Sequence, residues 1–439
     1  MPAEKELLLQ ELEALKLENF KLKKQLEQQR EQKETLPMSL EEYSRYGRQM
    51  IVEQINGVEG QVKLREAKVL VIGAGGLGCP SLPYLVGAGV GHIGIVDDDI
   101  VDASNLHRQI LHDSVKVGML KCESAKQVLN KLNPHVQVAT YPVRLDNKNA
   151  FQIMANYDII MDCTDTPLAR YLISDVAVNL GKTVVSASGL GTEGQLSIYN
   201  FKNVGPCYRC FYPNPPPPGS VTSCQQGGVV GPCIGLVGVM MAVETMKVIL
   251  ETYTVENFSP FLIQYSGFPQ QSLRTFKMRG KKKDCISCGY NPTVTREAIE
   301  SGDVNYSNFC GGSRDFNVLA DEERITVQQF QENYWLDDKK DYILLDVRPR
   351  LHYNVSHLPK TYNVTMKELK DMDGDLKELQ KRIPRLTTER DIIVLCRHGN
   401  ESRLATRVLK DEFRLNNVKD IKGGYFQYID EISPFLPKY

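Results

Sequence analysis

Four of the eleven cysteines stand in two CxxC pairs, Cys207 and Cys210 in CYRC and Cys285 and Cys288 in CISC. Two such knuckles are the ligand set of a tetrahedral, all-thiolate zinc site. Four thiolates close the coordination sphere, so the zinc is expected to be structural, one per chain, pinning the stem of a proline-rich loop to the end of its domain. A redox dithiol in each pair is the competing reading, and neither pair opens the thioredoxin-like βα turn it needs. Cys224 stands alone in SVTSCQQGGVVGPC, after the run Pro215 to Pro218 and before the apolar stretch IGLVGVMMAVETMKVIL. A cysteine on a swinging loop can take an acyl group from an adenylate, because thiolate attacks a mixed anhydride readily. By residues alone that role and an ordinary exposed thiol weigh equally. Cys79, Cys122, Cys163, Cys233 and Cys310 read as small packing residues.

A second chemistry lies in KVLVIGAGGLGCP, where an apolar strand runs into Gly73, Gly75, Gly76 and Gly78. The G-x-G-x-x-G spacing lets backbone approach phosphate at a helix N-terminus, with NAD the default ligand. Asp97, at the end of the strand HIGIVDDD, is placed to hold a ribose, which leaves both NAD and ATP open. Asn105, Arg108 and Gln109 follow in DASNLHRQ, Lys121 arrives in VGMLKCESA, and Arg48 in RYGRQM adds a further cation. A dinucleotide pyrophosphate is served by backbone and helix dipole, whereas a triphosphate being cleaved needs cations, so this set favours ATP. Asp165, in MDCTDTP, is then a candidate Mg²⁺ ligand. Any one of these cations could equally be a surface charge.

The elements that must position these residues follow from composition and pattern. With 439 residues, 42% hydrophobic and a net charge of −1, the chain can bury large cores in two or three domains, and no field of one sign invites nucleic acid. The charge-broken N-terminus does not read as a signal peptide and no apolar run reads as spanning a bilayer, which points to the cytoplasm and reduced cysteines. Leu8, Leu12, Leu15, Asn19, Leu22 and Leu26 follow heptad steps, so residues 1–36 are expected to be a helix, with a coiled coil and a solvated helix both open. Short β-branched runs alternate with helical stretches over 37–300: AKVLVIGAG, HIGIVDDD, VQVATYPV, YDIIMDCTD, TVVSASGL and QLSIYNF, an α/β pattern with a mostly parallel sheet. A linker is expected over 301–323, and a smaller α/β unit over 324–439, with YILLDVRP, DIIVLCRHGNESRLATRVL and VKDIKGGYFQYI as its pieces.

GAGGLG, SNLHRQ, DCTD, the CxxC pairs and TSCQQGGVVGP together resemble the ubiquitin-activating-like adenylyltransferases of the MoeB and ThiF type, with a Rossmann-like adenylation domain. Adding the C-terminal unit gives an architecture similar to the molybdenum cofactor synthesis protein 3 type and its fungal counterparts. The resemblance covers nearly everything from residue 38 onward. It implies ATP bound by Gly76, Asp97, Ser104, Asn105, Leu106, His107, Arg108, Lys121, Asp165 and Thr166, in a homodimer formed through the adenylation domain whose Arg48 reaches the partner's site. It raises the thioester role of Cys224 above the bland reading. It also implies a ubiquitin-related modifier as partner, activated for sulfur transfer to the tRNA wobble uridine and for protein conjugation.

The C-terminal unit resembles a rhodanese domain. LLDVRP carries Asp346 and Arg348, and IIVLCRHGNESR gives a strand ending in Cys396, a tight loop and a helix. Backbone N–H groups of such a loop converge on the sulfur and favour thiolate or persulfide, so Cys396 is expected to be acidic and reactive. A cysteine-dependent phosphatase would place arginine where Ser402 stands, and Arg403 comes one residue late. Rhodanese loops commonly read C-R-x-G-x-[RT]. Here the sixth position is Glu401, whose charge would repel thiosulfate, so a persulfide-donating cysteine desulfurase or relay sulfurtransferase is the expected donor. The expected course is adenylation of a C-terminal glycine, a thioester on Cys224, and attack by persulfide on Cys396 to yield a thiocarboxylate. The alternatives are an activating enzyme that hands its thioester to a conjugating protein, with the rhodanese unit as a docking module, and an NAD-dependent oxidoreductase.

Overall fold

A computed structural model describes residues 12–25, 36–215, 227–306, 316–337 and 339–439. The chain separates into two compact units, Met1–Gly312 and Ser313–Tyr439, a boundary inside the stretch read as a linker.

The first unit is built on eight strands: β1 Lys68–Ile72, β2 His92–Val96, β3 Gln137–Tyr141, β4 Ile159–Asp162, β5 Thr183–Leu190, β6 Glu193–Tyr199, β7 Phe261–Ser266 and β8 Ser272–Lys277. Their order is β3-β2-β1-β4-β5-β6-β7-β8. β3 to β5 in that order pair in parallel and the rest antiparallel, so the sheet is mostly parallel, as the α/β pattern predicts. The six apolar runs became β1 to β6. β7 and β8 went unread because most of their residues are half-buried or exposed: β8 has no apolar run, and that of β7 stops after Phe261, Leu262 and Ile263.

The parallel strands are buried on both faces, which is why they read as continuous apolar runs rather than alternating ones. Period two splits them between two cores: Val69, Val71, Ile159 and Met161 face one, Leu70, Ile72 and Ile160 the other. The strand order reverses between β1 and β4, and in open α/β sheets ligands bind at the carboxyl ends of the strands flanking such a switch.

The reading that no apolar run reaches spanning length needs correction. The helix Gly231–Ile249 has 19 residues and is apolar enough by length and composition. Its place explains the composition: Cys233, Ile234, Val237, Met241, Ala242, Val248 and Ile249 are buried in the first core. At the other end of the unit, residues 12–25 are helical and exposed throughout, with Leu12, Leu15 and Leu22 49%, 62% and 53% exposed. Leu8 and Leu26 lie outside the described residues.

The second unit is a five-stranded parallel sheet of β9 Arg324–Ile325, β10 Tyr342–Asp346, β11 Thr361–Asn363, β12 Asp391–Leu395 and β13 Val418–Ile421, in the order β11-β10-β12-β13-β9. Alternate residues again serve two cores, Ile343, Leu345 and Val394 on one face and Leu344, Ile393 and Leu395 on the other.

The helix Gly231–Ile249 approaches the helix Gly78–Gly87 at Gly238, where a Cβ would stand 2.4 Å from the Leu77 carbonyl oxygen and 2.5 Å from a Pro80 ring carbon. The Gly238 carbonyl also accepts from Ser81 Oγ at 2.7 Å. Gly238→Ala should therefore destabilise the first unit by about 1 to 3 kcal/mol, read as a lower Tm in calorimetry, whereas Gly235→Ala, with open space around it, should not.

Candidate active sites

The glycine turn after β1 is shaped by backbone contact. Gly73 has a φ of +102°, and its Cβ would stand 2.9 Å from the Cys163 carbonyl oxygen at the end of β4. Gly78 opens the following helix with its Cα face against Gly73, where a Cβ would come 2.0 Å from that residue's carbonyl oxygen. Gly75 and Gly76 are different: a Cβ there would meet only side chains, Gln109 at 3.7 Å and Arg108 and Ile234 at 3.4 to 3.6 Å. The segment after β2 thus lies over the turn. Gln109 is buried there, and its Oε1 has no hydrogen-bond partner.

Asp97 braces the turn from β2, accepting from the Ala74 N–H at 2.7 Å and the Asp99 N–H at 2.9 Å. Burial pushes its carboxyl up, against the pull of Lys121. Lys121 is itself buried and bound to Asp99 at 2.7 Å. Ser104 donates its N–H to Asp102 at 2.7 Å, His107 Nδ1 meets the Ser104 carbonyl at 2.9 Å, and Arg108 Nη2 donates to Asn105 Oδ1 at 2.7 Å. These bonds fold 104–108 into a short polar turn with Leu106 half-buried in it. In DCTD the two aspartates have opposite fates. Asp162 is buried and accepts from Thr164 and Ser186, while Asp165 is exposed just past β4 and Thr166 caps the helix Pro167–Leu180.

Arg48 is not brought to this turn within the chain. Its helix, Leu40–Met50, docks through Gln49 on the Ala88 carbonyl, at the far end of the helix Gly78–Gly87. Ten helical residues separate that end from the glycines by about 15 Å.

The four CxxC cysteines come together from residues far apart in the chain. All are buried and their sulfurs lie within 4.8 Å of one another, with Cys207 to Cys285 at 3.5 Å and Cys210 to Cys288 at 3.4 Å. Zinc–sulfur bonds of about 2.3 Å in a tetrahedron put sulfurs about 3.8 Å apart, so the donor set fits a zinc ion. Arg209, between the first pair, is buried and forks onto Asp175 at 2.8 to 3.0 Å, tying the knuckle to the helix Pro167–Leu180. Cys224 lies outside the described residues, as does Cys310. The remaining single cysteines of this unit, Cys79, Cys122, Cys163 and Cys233, are buried in the first core as packing residues.

In the second unit Cys396 follows β12 directly and is 2% exposed. The loop beyond it is held from below. The N–H groups of Tyr425 and Phe426 donate to the carbonyls of Cys396 and Arg397 at 2.8 and 3.1 Å. That approach requires Gly399 and Gly424, both at positive φ, whose Cβ atoms would stand 2.5 Å from Gly423 N and 2.4 Å from the Cys396 carbonyl oxygen. Arg348 folds back on Asp346, both buried, and donates to the Tyr439 hydroxyl at 2.7 Å. A nucleotide-type turn at one switch point and a cysteine loop at another strand end now stand on one chain. The ThiF family matches residues 46–287 and the rhodanese-like domain matches residues 327–431. The adenylyltransferase and sulfurtransferase UBA4 of Kluyveromyces lactis is 66% identical over 437 residues, covering 99% of this chain and 98% of that protein. That of Saccharomyces cerevisiae is 64% identical over 430 residues, 98% of each.

The chain belongs to the UBA4 family. It is an adenylyltransferase and sulfurtransferase, with adenylation and sulfur transfer carried by ThiF and rhodanese units. The solved structure of E. coli MccB with MccA-N7isoASN shares the fold of the first unit, at a TM-score of 0.50 and 22% identity over 58% of this chain and 76% of that one.

Within this family site the structure differs from one sequence expectation. Burial pushes the Cys396 thiol up rather than leaving it acidic, opposed by hydrogen bonds from the Ser402 side chain and backbone and the His398 backbone. Glu401, the first residue of the helix Glu401–Asp411, adds to the upward push through its charge. Sequence reasoning did not single out Ser402, Asp420 or Arg324 as site residues, though all three lie behind the sulfur. The charge of Glu401 disfavours an anion at Cys396. Glu401→Thr should raise thiosulfate sulfurtransferase activity about tenfold, the effect of one unfavourable charge contact of about 1 to 2 kcal/mol; an unchanged rate in thiosulfate kinetics would leave Glu401 as a helix-end charge only.

Proposed function

We propose that the chain uses ATP to activate the C-terminal glycine of a ubiquitin-like sulfur carrier and then delivers sulfur to it from Cys396. The observation that carries this reading is the joining, on one chain, of a glycine turn overlaid by Arg108 and Gln109 with a cysteine loop held at the end of β12. The carrier's carboxylate attacks the α-phosphorus and pyrophosphate leaves, with negative charge met by Arg108 and Lys121. Gly73, Gly75, Gly76 and Gly78 supply backbone to the phosphates, and Asp97, Ser104, Asn105, Leu106, His107 and Thr166 line the nucleotide. Asp165, exposed just past β4, would hold Mg²⁺, which would supply charge neutralisation at the phosphates.

Arg48 belongs to the site of a second copy in this reading. Two features support a homodimer through the adenylation domain: the distance of its helix from the turn, and the apolar pair Leu236, 36% exposed, and Val243, 47% exposed, two turns apart on the helix Gly231–Ile249. Cys224 takes the acyl group as AMP leaves. Persulfide on Cys396 displaces Cys224 to form an acyl disulfide. Cys224 thiolate then attacks Cys396 Sγ, the thiocarboxylate departs, and an external thiol reduces the resulting disulfide. Zinc held by Cys207, Cys210, Cys285 and Cys288 keeps the adenylation domain's end in place. The sulfur source is a persulfide-donating desulfurase or relay sulfurtransferase, and the product serves tRNA wobble-uridine thiolation and protein conjugation in the cytoplasm. Neither nucleic acid nor membrane is a direct partner.

Adenylation and sulfur transfer should separate by mutation. Cys396→Ala should keep carrier-dependent ATP–pyrophosphate exchange and lose thiocarboxylate, weighed by mass spectrometry, while Asp165→Ala should lose exchange itself. Loss of exchange in a folded Cys396→Ala protein would contradict this division. Metal analysis of protein never exposed to chelator should find one zinc per chain, and Cys207→Ser should lower both metal content and Tm; a chain with no zinc would remove the metal from the reading.

A further inference from the structure

We propose that Ser402 is a catalytic residue of sulfur transfer, its hydroxyl hydrogen-bonding the sulfur anion of Cys396, and that Asp420 and Arg324 are the positioning residues behind it. The inference rests on the reading of Cys396 as the sulfur carrier. Its ground is a continuous chain of polar atoms, buried at Cys396, Ser402 and Asp420. Cys396 Sγ donates to Ser402 Oγ at 3.3 Å, Ser402 Oγ donates to Asp420 Oδ2 at 3.1 Å, and Asp420 accepts Arg324 Nε and Nη2 at 2.7 and 3.2 Å. Ser402 and Asp420 are fully buried. Arg324 Nη2 also reaches the Gly399 carbonyl at 3.4 Å, which ties the chain to the loop itself.

A hydroxyl in this position has two settings. While the sulfur keeps its proton, the thiol donates to Ser402 and the hydroxyl proton points at Asp420. Once the sulfur is an anion, the hydroxyl turns to donate to it, and Asp420 keeps both bonds from Arg324. Neither setting strands a buried charge, the arrangement that would otherwise be costly. A hydrogen bond to an anion where water is excluded is stronger than one between neutral groups. In the loading step the Cys396 thiolate attacks the outer sulfur of a donor persulfide. The Sγ–S bond forms as the donor's S–S bond breaks, the donor thiolate leaves with the electron pair, and the persulfide proton stays on the transferred sulfur.

Other charged and titratable groups surround the site: Arg397, His398 and Glu401 on the loop and its helix, the Asp346–Arg348 pair leaving β10, and Tyr425 on the helix Gly424–Glu431. Among the side chains acting on Cys396, Ser402 favours the anion and Glu401 opposes it.

The test loads the full chain with sodium polysulfide and follows persulfide on the Cys396 peptide by mass spectrometry from about pH 6 to about pH 10. Ser402→Ala should move the midpoint of the loading rate up by about one pH unit and slow loading about tenfold near neutrality, and Ser402→Thr, which keeps a hydroxyl, should restore both. Asp420→Asn should move the midpoint the other way, because its amide can donate to Ser402 Oγ and turn the hydroxyl proton onto sulfur. General damage to the loop would not produce opposite signs. Wild-type midpoint and rate in Ser402→Ala would overturn the proposal, and so would an upward shift in Asp420→Asn. A wild-type chain that delivers sulfur without ever loading Cys396 would instead overturn the reading beneath it.

Discussion

The helix Gly78–Gly87 can fold back on the turn that follows β1 only because Gly78 has no side chain. Its Cβ would stand 2.0 Å from the Gly73 carbonyl, and Gly73's own would press on the Cys163 carbonyl at 2.9 Å. This backbone-to-backbone contact draws the ends of β1 and β4 and the first turn of the helix into one corner at the switch point of the sheet. The polar turn 104–108, Asp165 and the start of the helix Gly231–Ile249 then gather around that corner. The last of these is held as closely as the rest, since a Cβ on Gly231 would stand 2.3 Å from the His107 carbonyl oxygen. The second unit uses the same device with different residues: Gly399 and Gly424 allow the Cys396 loop to lie on the helix that follows β13. In both units the reactive surface is made by backbone, and glycine is what lets two backbones meet.

Environment assigns the acids and cations around these corners to different tasks. Asp97 and Asp162 spend their oxygens on backbone N–H groups and hydroxyls inside the protein, so they shape the site. Asp165 is exposed at the strand end. Lys121 is held by Asp99, and Arg108 by Asn105. Each cation thus has an internal partner of its own, and in the proposed reading a phosphate entering the corner competes with a carboxylate in one case and an amide in the other. The amide is the weaker competitor, because a hydrogen bond to an ionised acceptor is roughly twice as strong as one to a neutral acceptor.

Much of this was legible in the residues. Strands buried on both faces announced themselves as apolar runs, and the glycine spacing and CxxC pairs marked the tight turn after β1 and the four cysteines that the fold brings together. What was missed has physical causes. The helix Gly231–Ile249 is apolar almost all round, so its pattern does not distinguish a core helix from other apolar helices. β7 and β8 lie where the sheet turns antiparallel and one face meets solvent. The Cys396 site was half visible: the loop has a motif, but Ser402, Asp420 and Arg324 sit on three different elements and meet only when β13 pairs with both β12 and β9. Asp420 in VKDIKGG looks like any polar residue in a short strand. Arg48 is a different kind of case, since the residue type suggests a phosphate contact while its helix stands at the wrong end of its own chain.

The burial of Cys396 bears on how sulfur can leave the loop. At 2% exposure the Sγ atom offers almost no surface to a carbonyl carried by another protein. A persulfide adds a second sulfur about 2 Å beyond the first, so in the proposed cycle the nucleophile is the outer atom while Sγ stays against Ser402. Two demands that conflict for a single thiolate are thereby divided. During acyl transfer the inner sulfur keeps its hydrogen-bonded seat and the outer one meets the acyl group, whereas loading from a persulfide and release by a thiol bring only a sulfur atom, not a carbonyl, to Sγ. The upward push of burial on the thiol is compatible with this arrangement, because persulfides are more acidic than thiols and the loaded form needs less help from the loop to ionise. The Ser402 contact is therefore most needed at loading, when the bare thiol must give up its proton, and least needed at delivery.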